Sequence, residues 1–152
     1  MEARMTHPVY LVPAALKALT AYAHAADGLG VPTETLELVH LRASQINGCS
    51  VCVELHSGAL KKEGTSDQRL YTVAAWRDAP YFSDAERAAL ELAEAVTRVA
   101  DTGDPVSDEV WAEVSRHYDE QGISALLIAI TGVNVWNRLN AATRQPAGAW
   151  TP

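Results

Sequence analysis

Apolar residues recur at spacings of three and four along most of this chain, and the breaks between the runs fall at glycine, proline and capping residues. Residues 13–27 read as an Ala/Leu-rich helix that Gly28 and Gly30 stop. Thr33 is placed to cap a second helix, with Glu34 and Glu37 in its first turns, where the helix dipole favours acids. Leu38, Leu41 and Ile46 give it an apolar face, and Asn47-Gly48 ends it. A third helix starts around Cys49–Ser50 and runs to Lys62, with Gly64 as its stop. Ser66 opens a short fourth helix through Trp76, which Pro80 keeps from continuing. Ser83-Asp-Ala-Glu86 is a capping box before a strongly periodic helix that reaches about Val99. Asp101–Pro105 is a loop, Ser107 caps a helix to about Tyr118, Gly122 is a break, and a last helix runs from about Ser124 to Thr143. No Val/Ile/Thr alternation marks a strand. The expected fold is all-α: one domain over residues 1–152, its core about 13–144, built from about six to seven helices in antiparallel hairpins, with an extended tail after Pro146.

The last helix stands apart. Leu126, Leu127, Ile128, Ile130, Val133 and Val135 precede its first charge at Arg138, so it is apolar nearly all round. Such a helix lies at the centre of its own core or at a subunit interface, and the pattern leaves both open.

At 152 residues the chain can bury a core without staples. Its formal charge is −7, with scattered basic residues, which argues against nucleic acid or an anionic membrane as partner. No run reaches the ~18 uninterrupted apolar residues of a membrane span, and the N-terminus lacks a long secretory apolar region. Two cysteines are too few for a disulfide scaffold, so a reducing cytosol is the expected compartment. There, a Cys-x-x-Cys pair is more often catalytic or metal-binding.

That pair is Cys49-Ser-Val-Cys52, and His56 follows four residues on. A thiol at a helix start feels the positive end of the dipole, and the thiolate is its reactive form. Cys49 and Cys52 span one helical turn, and His56 lies one further turn on the face of Cys52, placed to take its proton directly or through a water. Glu37 precedes Cys49 on the previous helix. If the chain folds back at Asn47-Gly48, Glu37 lies ~15 Å up one arm and His56 ~10 Å along the other, which puts Glu37 nearer His56 than the thiols. Carboxylate, histidine and cysteine in that order make a proton relay. A zinc site of Cys49, Cys52, His56 and Glu37 is the rival reading. A thioredoxin-like site would need a strand before the pair, and a c-type haem site a histidine in place of Val53.

The run Leu36-Glu37-Leu38-Val39-His40-Leu41-Arg42 through Asn47-Gly48-Cys49-Ser50-Val51-Cys52-Val53-Glu54-Leu55-His56 resembles the core of the alkylhydroperoxidase D-like proteins, within the carboxymuconolactone decarboxylase superfamily. Trp76-Arg77, Phe82 to Arg87 and Asn134-Val-Trp-Asn-Arg138 fit as well, so the resemblance covers about residues 13–144. It implies helical hairpins assembled as trimers or hexamers with the redox centre near subunit contacts. It also implies a thiol peroxidase without cofactor, recycled by an external dithiol protein or lipoyl group. By position, Cys52 matches the cysteine that a hydroperoxide oxidises, Cys49 the partner that closes the disulfide, and Glu37 and His56 the relay. The best-known members carry a further histidine where Val51 stands here, so one proton donor is missing. Apolar neighbours (Val51, Val53, Leu55) point to a small apolar substrate.

Two other functions stay open: a decarboxylase or lactone-processing enzyme, which needs acid–base groups and no dithiol, and a non-catalytic redox sensor or stress protein. His40, one turn from Glu37, either joins the relay or packs at a helix interface. His7, His24 and His117 are expected in surface or capping roles, and Trp76 and Trp111 in the core. Arg42 and Ser44 are expected as hairpin contacts, Arg138 as the partner of an acid, and Trp136 and Asn137 as packing or site-lining residues.

Overall fold

Every periodic run of the sequence is a helix in the computed structural model, which describes residues 2–148. The order is α1 (Pro8–Leu11), α2 (Pro13–His24), α3 (Thr33–Asn47), α4 (Ser50–Lys62), α5 (Asp67–Thr72) with a 3₁₀ turn at Val73–Ala75, α6 (Asp84–Thr97), α7 (Asp108–His117) and α8 (Glu120–Thr143). No strand occurs among the described residues. Helix α3 packs against α4, α6 and α8 at once, because Leu36, Leu38, Val39, Leu41 and Ala43 bury more than one of its sides. Two apolar cores result. One joins Val39 to Leu92, Val114, Leu126 and Ile130; the other joins Leu38 and Leu41 to Leu60, Trp76, Phe82 and Leu90. Truncating any of these leucines to alanine typically costs about 2–5 kcal/mol.

Local chemistry sets the joints. Ser83 and Glu86 form the expected capping box at the head of α6. One turn on, Arg87 donates to the carbonyls of Trp76, Arg77, Ala79 and Phe82, which fixes the loop that Pro80 takes out of helix.

Five features differ from expectation. A short α1 precedes the first expected helix, started by Pro8 and by His7, whose Nδ1 accepts the Val9 N–H at 3.3 Å. Thr33 is the first residue of α3 and not its cap; Pro32 holds that position without a side-chain bond. Gly122 does not break the chain. Asp119 caps α8 by accepting the Gly122 N–H at 2.8 Å, and a Cβ on Gly122 would stand 3.3 Å from Tyr118 Cβ, so this glycine serves a close approach. The tail turns back on α4: Ala147 N–H donates to Ser50 Oγ and Gly148 N–H to Glu54 Oε2, while residues 149–152 lie outside the described residues. Trp111 is exposed, whereas Trp76 is buried as expected.

Helix α8 lies in the core, burying Ile123, Leu126, Ala129, Ile130 and Val133. It is long and apolar enough to cross a membrane, but more than half of its apolar stretch is buried inside the fold, as in a core helix.

Candidate active site

The site begins at the reversal between α3 and α4. Gly48 adopts φ +66°, the left-handed conformation that ends a helix without a Cβ penalty. Its N–H turns back to the last carbonyls of α3, and the Cys49 N–H bonds Ser44 O at 3.0 Å. Cys49 then caps α4, its sulfur accepting the Cys52 N–H at 3.4 Å. Both thiols are free and buried, with their sulfurs 2.6 Å apart.

The same reversal lays α4 back along α3, and the helical arithmetic holds. His56 Nδ1 lies 2.8 Å from Glu37 Oε2. His40 Nδ1 lies 3.4 Å from Glu37 Oε1, in a geometry that falls short of a hydrogen bond. The His40 and His56 rings are 4.8 Å apart. Burial alone would raise the Glu37 carboxyl. The contacts with His40 and His56, and the charge those rings can carry, outweigh it and hold the carboxyl at about 2. Burial pushes His40 down, against the pull of Glu37, so it is neutral near pH 7. His40 therefore sits beside Glu37 and His56 as well as at the helix interface.

Cys52, His40 and His56 open onto one cavity of about 170 Å³. Its other walls are mainly apolar, among them Val51, Leu55, Val133 and Trp136. Cys49 is not among the lining residues, so the two thiols are inequivalent: Cys52 faces the cavity and Cys49 stands behind it. No hydrogen bond joins His56 directly to Cys52. The Cys52 sulfur instead contacts Cys49 and the Asn140 amide, whose Nδ2 lies 3.3 Å away.

Asn140 completes a row. Asn134, Asn137 and Asn140 stand three apart on otherwise apolar α8, and all are buried. Asn47 Nδ2 donates at 2.9 Å to the side-chain oxygens of both Asn134 and Asn137, and Asn137 Nδ2 donates to Ser44 Oγ at 3.1 Å. The row clamps the α3–α4 reversal against α8. Ser44 thus contacts α8, and Arg42 reaches α6 through Glu94, so both bond beyond the hairpin. Arg138 pairs with no acid among the described residues; it donates to the side chain and carbonyl of Asn134.

Within the dithiol the proton is unevenly held. The hydrogen bond from Cys52 brings the Cys49 thiol down to about 6, against the effect of burial and aided by the Cys52 N–H. Cys52 is pushed up by that same partnership and by burial. The two thiols thus titrate as a pair, the proton loss of one opposing that of the other. Proton transfer from Cys52 to Cys49 leaves a cavity-facing Cys52 thiolate with the Asn140 N–H as donor.

Glu37, His40 and His56 offer ligand atoms within 4.8 Å of one another and are the one metal-capable group among the described residues. The thiols are outside it, so the four-residue zinc set of the rival reading is not assembled. Asn140 and His7 were not expected at the site. The row of asparagines in an apolar helix was a signal for Asn140; a histidine six residues after Met1 gave none for His7.

Residues 13–95, more than half of the chain, match the sequence profile of the Carboxymuconolactone decarboxylase family, and the protein belongs to that family. The matched stretch holds Glu37, His40, Cys49, Cys52 and His56, whereas His7 and α8 lie outside it. Within the family its likeness is to the alkylhydroperoxidase D type. The chain is 39% identical over 108 residues to the uncharacterized protein YdfG of Bacillus subtilis, covering 71% of this chain and 72% of YdfG. It is 36% identical over 110 residues to the uncharacterized protein YnjA of Escherichia coli, covering 72% of this chain and 59% of YnjA. The crystal structure of ATU0492 from Agrobacterium tumefaciens, a protein of unknown function and candidate AhpD antioxidant-defence protein, superposes with a TM-score of 0.89 at 30% identity, over 98% of this chain and all of that one. The debrominase Bmp8 shares the fold, with a TM-score of 0.82 at 22% identity over 93% of this chain and 75% of its own.

Proposed function

We propose that this protein is a dithiol peroxidase for small apolar hydroperoxides. One observation carries the reading: of two sulfurs 2.6 Å apart, one faces an apolar cavity that it shares with a histidine held by a half-buried carboxylate. The Cys52 thiolate attacks the distal oxygen of ROOH, the O–O bond breaks, and RO⁻ leaves. His56, oriented by Glu37 and flanked by His40, supplies the proton that makes ROH. Cys49 then attacks the Cys52 sulfenic acid, forming the disulfide and releasing water. An external dithiol, of lipoyl type, restores both thiols by exchange and is itself oxidised to a disulfide. No resident cofactor takes part. A trimeric or hexameric assembly in a reducing cytosol belongs to the same proposal.

The test is turnover with dihydrolipoamide and an organic hydroperoxide. The expected result is one alcohol formed per dithiol oxidised, lost in Cys52→Ser. Absence of turnover with reversible disulfide formation would favour the sensor reading. The Glu37–His40–His56 cluster supports a second reading, acid–base chemistry of the decarboxylase kind, because it does not need the thiols. Decarboxylase or lactone-processing activity that survives replacement of both cysteines would establish it.

A further inference from the structure

The chain before α2 is tied across the end of α8. Arg4 N–H donates to Thr143 O at 2.8 Å, Arg4 Nη1 to Ala142 O at 3.0 Å, and Gln145 Nε2 to Met5 O at 3.0 Å. Val9 is buried. Between these ties His7, only 3% exposed, stacks on Trp136 at 5.8 Å, against the wall of the thiol cavity.

The tautomer of His7 is set by its neighbours. Nδ1 accepts the Val9 N–H, so in the neutral ring the proton sits on Nε2, which must donate. Asn140 Oδ1 is buried, and no group donates to it within ordinary hydrogen-bond geometry. An asparagine amide can be turned either way, and its partners decide which. Here one end faces His7 and the other faces Cys52. Burial lowers His7 below its ordinary range while a hydrogen bond with Asn140 works against it, the sign expected when the ring donates.

We infer that His7 is a positioning residue for the thiol site: its Nε2–H holds Asn140 Oδ1 and thereby turns Asn140 Nδ2–H toward the Cys52 sulfur. Turned the other way, Asn140 would face Cys52 with an oxygen, which repels a thiolate and accepts from a thiol. His7 thus favours the ionised form of Cys52 from a segment far away in sequence. The other titratable groups around Cys52 are Cys49 and, across the cavity, His40 and His56. The inference concerns the ionisation of Cys52 and does not require peroxide as the oxidant, so it is separable from the proposed function.

The experiment is the pH dependence of Cys52 alkylation by iodoacetamide in a Cys49→Ser background, with His7 intact, His7→Leu or His7→Gln. Gln keeps an N–H₂ at about the reach of Nε2. The expected result is a profile displaced to higher pH in His7→Leu, with alkylation about tenfold slower at pH 7, and recovery of most of that loss in His7→Gln. Profiles that agree within twofold would overturn it, as would equal loss in both variants. ¹⁵N NMR of the unmutated protein gives a check that needs no variant. A neutral Nε2–H ring at pH 7 is expected, and an Nδ1–H ring or a freely titrating one would contradict the assignment.

Discussion

Among the described residues two carboxylates are held at about 2, and only one of them has titratable partners that open onto a cavity. Glu94 on α6 is bonded by Arg42 Nε at 2.7 Å, Arg77 Nη1 at 2.7 Å and Trp76 Nε1 at 2.9 Å, with Arg98 beside it. Burial pushes its carboxyl up, and Arg77, Trp76 and Arg42 outweigh that. Glu37 on α3 reaches the same range against the same penalty, through His40 and His56. The difference lies in the partners. Arginine does not release its proton at any working pH, so the Glu94 cluster can only hold two helices and a loop together. Histidine exchanges protons near neutrality, and the Glu37 pair opens onto a cavity with a thiol in it. A depressed carboxyl is therefore weak as a marker of function; a titratable partner with access to a reacting atom is the informative part.

The largest effect that would sharpen this contrast is on stability. Glu94→Ala leaves Arg42 and Trp76 without their buried partner and is expected to cost about 3–5 kcal/mol in urea unfolding, with thiol oxidation unchanged wherever the variant is folded. A tenfold loss of thiol reactivity there would break the separation. Acid stability is next. Both carboxyls sit below their ordinary 4.5, so their contribution is complete above about pH 4.5 and is lost as pH falls from there through about 2. In Glu37→Gln that acid-dependent loss should shrink by up to about 3 kcal/mol, followed by unfolding titrations between those limits. Kinetics should show the converse. Glu37→Gln keeps an acceptor for His56 and loses the charge, and thiol oxidation at neutral pH is expected to slow by about ten- to a hundredfold. A rate within twofold of the unmutated protein would remove Glu37 from the relay. The smallest effect is expected for Arg77→Ala. Half of that side chain is in water, and Arg42 still pairs with Glu94, so under about 1 kcal/mol should be lost.

The sequence carried the helices and the Glu37–His56 pair because both depend on short-range spacing. Ser83 and Glu86 write a capping box in four residues, and Gly48 fixes a reversal from which the Glu37–His56 meeting follows by counting turns. Gly122 misled because a glycine that breaks a helix and one that admits a neighbouring Tyr118 look alike in sequence. Trp111 was expected inside on its residue type, whereas its helix turns it to solvent. Asn140 and His7 were missed for another reason. Asn140 reaches Cys52 from 88 residues away, and His7 stacks on Trp136 from 129 residues away, contacts that exist only once α8 crosses the hairpin and the N-terminal segment crosses α8.

The central claim is that Cys52 is a peroxide-reactive thiol served by the Glu37–His56 pair. Its most direct test is stopped-flow oxidation of the fully reduced protein by an organic hydroperoxide, read by thiol count and intact mass beside Cys52→Ser and His56→Ala. The expected result is fast loss of both thiols to a disulfide, abolished by Cys52→Ser and slowed by His56→Ala. Thiols that react no faster than free cysteine would contradict it.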